Sequence, residues 1–379
     1  MTQARSVLFI TGTRADFGKL EPLATAARDE GYRVSFFVTG MHMLPLYGLT
    51  KNEVHRVPGV NVVEFLNQRE GDPQDIVFAK TVVGFSDHLR LEKPDLVVVH
   101  GDRVEAMATA FTCATNYVRC AHVEGGEVSG TIDEIFRHCN TKLAHCHLVS
   151  SHSARRRVMS LGEAEENVFV IGSPELDKHA EPSGVTLDQV RERYAIPFED
   201  YGIAVFHPVT SEASHMTAQA ADLFGALKLS GRNFVVIRPN NDPGSKAIFD
   251  EIDMLPKDRF HVLPSMRFAH FSELMRNASA IVGNSSAGVR EAPFLGVPSL
   301  DIGTRQTNRA LSESVHKAAA SDQDRILAFL LDTWGQRFDP CQEFGTGGAA
   351  ENFLKILADA EFWTRPMQKH FNDPKGGHA

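Results

Sequence analysis

Cysteine is scarce in this chain. Five occur in 379 residues, at positions 113, 120, 139, 146 and 341, and none forms a framework spacing. A disulfide-stapled secreted fold is therefore excluded, and a reducing compartment fits. No apolar run approaches the ~20 residues a membrane-spanning helix needs. The N-terminus passes from Arg5 straight into the strand-like Ser6–Thr11, leaving no apolar region of a signal peptide. Positive charge is not in excess either. A net charge of −9 and an isoelectric point near 6.0 argue against a nucleic-acid surface. The three spaced glycines of a dinucleotide fingerprint are missing after the first strand, so NAD is not indicated. These absences leave a soluble cytoplasmic protein with 42% hydrophobic and 23% charged residues, an ordinary globular balance. Its length favours two domains over one core.

Short β-rich runs alternate with stretches of helical spacing. Strands are expected at Val7–Thr11, Val34–Thr39, Val62–Phe65, Asp95–Val99, Cys120–Val123, His147–Ser150 and Val168–Ile171. The second half repeats the pattern at Ile203–Phe206, Phe234–Ile237, His261–Leu263, Ala280–Val282 and Ser299–Ile302. Leu20–Glu30 and Asp75–Leu91 carry apolar residues at helical period. Such alternation predicts α/β lobes built on doubly wound parallel sheets. Residues 175–200 are polar and interrupted by Pro182 and Pro197 around the charged helix Leu187–Tyr194. The expected domains are 1–178, 179–349 and a C-terminal helical segment 350–379, with helical pattern over Ala350–Phe362. Two Rossmann-like lobes facing a cleft have the architecture of glycosyltransferase-B enzymes, in which the C-terminal helix often packs back on the first lobe.

Chemistry concentrates between His100 and His147. Two apolar runs break abruptly into charge: His100-Gly-Asp-Arg103 after the first, and Glu124-Gly-Gly-Glu127 after the second, with Asp133 close behind. In an open parallel sheet, ligands sit beyond the carboxyl ends of the strands. Asp102, Glu124 and Asp133 are three carboxylates that this topology brings to one end. Acids sharing a pocket push one another's pKa values apart, which assigns separate proton-transfer roles. The plainer account is helix caps and surface pairs, but three such acids beside glycines in one short span favour chemistry.

Thr11-Gly-Thr-Arg-Ala-Asp-Phe-Gly18 follows the first strand and opens a helix. Free N–H groups there favour anions, and Arg14 is able to grip phosphate bidentately. A simple strand–helix turn with a surface arginine reads equally well from this loop alone. In the second half, His207-Pro-Val-Thr210, Arg238-Pro-Asn-Asn-Asp-Pro-Gly-Ser-Lys246 and Asn284-Ser-Ser-Ala-Gly-Val-Arg-Glu291 each end a strand. Ser285 and Ser286 present hydroxyls and N–H groups suited to a diphosphate, although Ser285 taken alone reads as an N-cap. Glu291 is suited to ribose hydroxyls. His138, Cys139, His145, Cys146 and His147 raise the question of zinc. Their spacing lacks a Cys-x-x-Cys clip or a His-x-x-x-His pair, so packed or hydrogen-bonded histidines are expected and no metal is assigned.

Together, TGTRADFG, TGMH, HGDR, HVEGGEVSGTID, RHCNTKLAH, HPVT, NSSAGVRE and GTRQ resemble the signatures of the hydrolysing UDP-N-acetylglucosamine 2-epimerases of sialic-acid-type sugar biosynthesis. The resemblance runs from Arg14 to Arg305. Non-hydrolysing relatives typically carry Arg-Pro-Glu at the first loop and Glu-Ala-Gly after the catalytic strand. Here those places read Arg14-Ala-Asp16 and Glu124-Gly-Gly126.

The resemblance implies catalysis by Asp102, Glu124 and Asp133. It implies nucleotide-sugar contacts from Arg14, Gly18 and Arg103, and from His207, Asn240, Lys246, Ser265, Met266, Ser285, Ser286, Glu291 and Arg305. No cofactor is implied, the partners being a UDP-sugar and UDP, with homodimers or homotetramers expected. One acid removes the proton at sugar carbon two while UDP leaves, giving a glycal, and water then adds across the double bond. The substrate is UDP-N-acetylglucosamine or its 2,4-diacetamido-trideoxy analogue of the legionaminic-acid branch. The chain ends soon after Trp363 with no kinase-like extension, so a stand-alone bacterial-style enzyme is expected. The alternatives are a non-hydrolysing 2-epimerase, a glycosyltransferase of the same fold, and a nucleotide-sugar sensor without turnover.

Overall fold

The computed structural model describes residues 4–129, 132–239, 244–309 and 312–373. It divides into two compact units, one of Met1–Glu127, Ile132–Asp177 and Phe344–Ala379, the other of Val128–Thr131 and Lys178–Glu343.

The first unit holds seven parallel strands: β1 (Ser6–Thr11), β2 (Arg33–Val38), β3 (Asn61–Glu64), β4 (Leu96–His100), β5 (Cys120–Val123), β6 (Cys146–Val149) and β7 (Val168–Val170). Their spatial order is β3-β2-β1-β4-β5-β6-β7. The order reverses between β1 and β4, the place where such sheets bind ligands. Strands covered on both faces need apolar side chains at successive positions. Leu96–Val99 is such a run, with all four side chains buried. One face packs Phe9, Phe36 and Leu20, and the other Leu8, Phe37 and Phe85. Phe353, from the helix Ala349–Ala358, joins the first of these faces, its ring 6.3 Å from that of Phe9.

The helix after β1 starts at Arg14, earlier than apolar periodicity suggested, and runs to Asp29. Thr13 and Asp16 form a reciprocal capping box, each side chain bonding the other's backbone N–H. The expected helix Ala350–Phe362 is two helices, Ala349–Ala358 and Ala360–Thr364, separated where Asp359 caps the second.

The second unit holds β8 (Gly202–Val205), β9 (Phe234–Ile237), β10 (Phe260–Leu263), β11 (Ile281–Gly283), β12 (Ser299–Ile302) and β13 (Val315–Ala318), all parallel, in the order β10-β9-β8-β11-β12-β13. Its switch point lies between β8 and β11. Gly283 has φ 137°, and a Cβ there would meet the Val205 carbonyl oxygen at 1.9 Å. Only glycine lets the two strands exit so close together. Among the described residues, no helix is long and apolar enough to cross a membrane.

Candidate active site

The loops flanking the first switch point carry the charged motifs. Glu124 ends β5 in the left-handed region, φ 62°, a conformation that costs a non-glycine residue free energy. This turn carries its carboxylate into a buried position, 2% exposed, where each oxygen is bonded. Ser173 Oγ donates to Oε1 at 2.8 Å, while Lys19 Nζ and His100 Nε2 each lie 3.0 Å from Oε2. Lys19 also pairs with Glu175 at 2.7 Å.

Asp102, which follows β4, pairs with the buried Arg137 guanidinium, whose other nitrogen donates to the Glu124 carbonyl at 2.9 Å. Arg137 lies on the helix Asp133–Leu143, one turn after Asp133. Asn140 of the same helix donates to the Gly101 carbonyl at 3.0 Å, as does His122 at 2.7 Å. Burial pushes the His122 pKa down to about 3, so it serves as a neutral donor at pH 7. One helix thus ties the exits of β4 and β5, and the three acids fall on two loops and that helix's first residue.

Lys19, His100, Arg137, Ser173 and Glu175 were not singled out from sequence as chemical groups. Arg137 was open to detection, because it stands four residues after Asp133, a spacing that places the two on one face of a helix. Ser173 and Glu175 meet Glu124 and Lys19 only through tertiary folding.

Arg14 is half-buried and paired with Glu53 at 2.9 Å. Gly18 lies one helical turn further on. Arg103 precedes the helix Val104–Thr115, its Nε 3.4 Å from Glu105.

In the second unit, Asn284 joins two strand exits. Its Oδ1 accepts from the His207 N–H at 2.6 Å, and its Nδ2 donates to the His207 carbonyl at 2.8 Å. Arg305 and Gln306 donate to the Asn284 carbonyl at 3.1 and 2.9 Å, adding the exit of β12. Ser285 is an N-cap, accepting from Ala287 N, and Ser286 opens the four-residue helix that follows. Glu291 is buried, with His179 Nε2 at 2.6 Å, and His179 Nδ1 in turn contacts Ser272 Oγ at 2.7 Å.

Three residues sit apart from these contacts. The Lys246 side chain is 86% exposed and paired with Asp250, Ser265 is exposed, and Met266 packs into the core. Asn240 lies outside the described residues.

The histidines and cysteines from 138 to 147 occupy separate places. His138 is exposed near Glu134, His145 Nδ1 accepts from Cys120 N–H at 3.1 Å, and His147 bonds Glu163 at 3.0 Å. Among the described residues, no three His, Cys, Asp or Glu side chains form a group able to hold a metal ion.

A family model described as UDP-N-acetylglucosamine 2-epimerase matches residues 24–358. A Neisseria meningitidis serogroup B protein named UDP-N-acetylglucosamine 2-epimerase is 41% identical over 373 residues, 97% of this chain and 99% of its own. A Legionella pneumophila protein named UDP-N,N'-diacetylbacillosamine 2-epimerase (hydrolyzing) is 29% identical over 375 residues, 96% and 98% of the two chains. The solved Methanocaldococcus jannaschii UDP-GlcNAc 2-epimerase, in complex with UDP-GlcNAc and UDP, matches with a TM-score of 0.79 at 17% identity, covering 93% of this chain and 99% of that one. At that identity the likeness is one of fold, and the fold is of the glycosyltransferase-B type.

Proposed function

Because the chain belongs to the UDP-N-acetylglucosamine 2-epimerase family, we propose that it runs the hydrolysing form of that chemistry. It converts a UDP-N-acetylhexosamine and water into the free 2-epimeric sugar and UDP. The observation that carries this reading is the linkage of Asp102, Glu124 and Asp133 through Arg137 and its helix at the switch point of the first sheet.

The proton at carbon two of the sugar is weakly acidic, so a positioned carboxylate and a stabilised leaving group must share the barrier. The carboxylate takes the proton, the bond from carbon one to the diphosphate oxygen breaks with its electron pair, and a double bond forms between carbons one and two. Water then supplies hydroxyl to carbon one, giving up its remaining proton to one of the carboxylates, and a second acid delivers a proton to carbon two from the opposite face. The acids of the first unit are assigned to these transfers. His207, Ser285, Ser286, Glu291 and Arg305 of the second unit are assigned to UDP, with Arg14, Gly18 and Arg103 assigned to the diphosphate side. The Glu124-Gly-Gly motif and the name of the Legionella relative support the hydrolysing branch. The five free thiols fit a cytoplasmic setting.

Incubation with UDP-N-acetylglucosamine in heavy water tests the reading. The expected products are UDP and N-acetylmannosamine carrying deuterium at carbon two. Accumulation of UDP-N-acetylmannosamine identifies the non-hydrolysing branch, and binding without exchange or turnover identifies a sensor. A parallel assay with UDP-2,4-diacetamido-trideoxyglucose decides which sugar is preferred.

A further inference from the structure

Beyond the helix Ala360–Thr364 the chain continues along the first unit as an irregular strap. Arg119 donates to the carbonyls of Trp363 and Arg365, at 3.2 and 2.8 Å. Lys369 then turns inward. Its ammonium lies 3.0, 2.9 and 2.6 Å from the carbonyl oxygens of Thr141, Lys142 and Ala144, the last turn of the helix Asp133–Leu143. It also pairs with Glu163 at 2.6 Å. Glu163 is 4% exposed and receives Lys142 at 2.6 Å and His147 at 3.0 Å. Past Lys369, the Phe371 ring covers Gly162, where a Cβ would come within 2.4 Å of it. Asn372 N–H donates to the Gly162 carbonyl at 3.0 Å.

The last carbonyls of a helix have no partner within it and carry the negative end of its dipole. An ammonium brought from more than two hundred residues away meets both needs. This helix is also the one whose opposite end presents Asp133 and whose Arg137 holds Asp102 and the Glu124 carbonyl. Eleven residues make a rod about 16 Å long. A displacement at the capped end is carried along it to the acids.

We propose that Lys369 is a positioning residue for the acid cluster: it fixes the axial placement of the Asp133–Leu143 helix from its C-terminal end. The proposal rests on the epimerase reading, in which those acids move protons. A misplacement of about 1 Å at such groups costs on the order of a hundredfold in rate.

The test uses the full chain with Lys369→Met and Lys369→Arg. Lys369→Met is expected to lower kcat roughly ten- to hundredfold with UDP Kd unchanged within about twofold. Lys369→Arg, which keeps charge and donors, is expected to stay within about fivefold of the wild type. Hydrogen exchange of Lys369→Met is expected to rise through the first turn, residues 133–137, and not at the last turn alone. Wild-type kcat in folded Lys369→Met, or exchange confined to residues 141–145, overturns the proposal. If Lys369→Met does not fold, Lys369→Gln, which drops the charge but keeps a donor, decides: a tenfold or greater loss of kcat at unchanged UDP Kd supports the proposal, and wild-type kcat overturns it. Failure of the wild type to turn over any UDP-sugar sinks the epimerase reading instead, and the exchange measurement still decides whether Lys369 orders the helix start.

Discussion

The two sheets end in opposite electrical styles. At the exits of β4 and β5 the first unit wires acid to base: Glu124 to Lys19 and His100, and Asp102 to Arg137. At the exits of β8, β11 and β12 the second unit uses an amide, Asn284, to lock backbone to backbone, with Arg305 and Gln306 donating to its carbonyl. Charge held in register suits proton transfer, because the pKa of each acid is set by the partners it keeps. Directional contacts to backbone suit recognition, where geometry matters more than field strength. The contrast extends to buried acids outside the sites. Glu163 of the first unit is met by three donors, whereas Asp301 of the second, 2% exposed, has one carboxylate oxygen without a hydrogen bond among the described residues.

The strongest way to break this comparison is to neutralise the wired acids. Asp102→Asn, Glu124→Gln and Asp133→Asn are each expected to cut kcat by roughly two orders of magnitude or more, with UDP affinity largely kept. Turnover and calorimetric titration with UDP check this. Wild-type turnover in any one removes that residue from the catalytic set.

A second comparison sets Glu163 against Asp301 in stability. Burial pushes Glu163 up, but His147, Lys369 and Lys142 outweigh it and hold the pKa at about 2 against an ordinary 4.5. Its contribution is therefore present above about pH 4.5 and lost as pH falls toward 2. Burial raises Asp301 from 3.8 to about 6, so its contribution is present in acid and lost as pH rises through 6. Glu163→Gln is expected to destabilise at pH 7 by on the order of 3 kcal/mol, the difference closing in acid. Asp301→Asn is expected to stabilise at pH 8 by on the order of 2–3 kcal/mol and to do little at pH 4. Denaturant titrations across pH read both, and parallel curves for the two variants contradict the contrast.

The smallest effects belong to the residues proposed to hold UDP. Ser286→Ala or Glu291→Ala is expected to weaken UDP binding by about 1–3 kcal/mol while leaving kcat at saturation near wild type. A loss confined to kcat moves the residue into the proton-transfer group.

The strands of both sheets were legible because strands buried on both faces are mainly apolar and β-branched; the boundaries of the twelve expected strands lie within one residue of those observed. The missed strand β13, Val-His-Lys-Ala, lies on the sheet edge with His316 and Lys317 exposed, so burial imposes no run there. The acids Asp102 and Glu124 were visible as charge breaking out of apolar runs. Their partners were not, because Lys19 and Ser173 reach Glu124 from 105 and 49 residues away, and no local pattern encodes such a meeting. Lys246, a lysine after a strand-end loop, pairs with Asp250 one turn later, a contact that helix periodicity alone makes available.

The left-handed backbone at Glu124 bears on how this protein responds to selection. Glycine adopts φ 62° without the penalty that glutamate incurs, but Glu124→Gly also strips Lys19, His100 and Ser173 of a buried partner, a loss that outweighs the strain relieved. Strain pulls this codon toward glycine and wiring pulls it back. A screen for heat resistance and a screen for turnover therefore both have reason to keep glutamate.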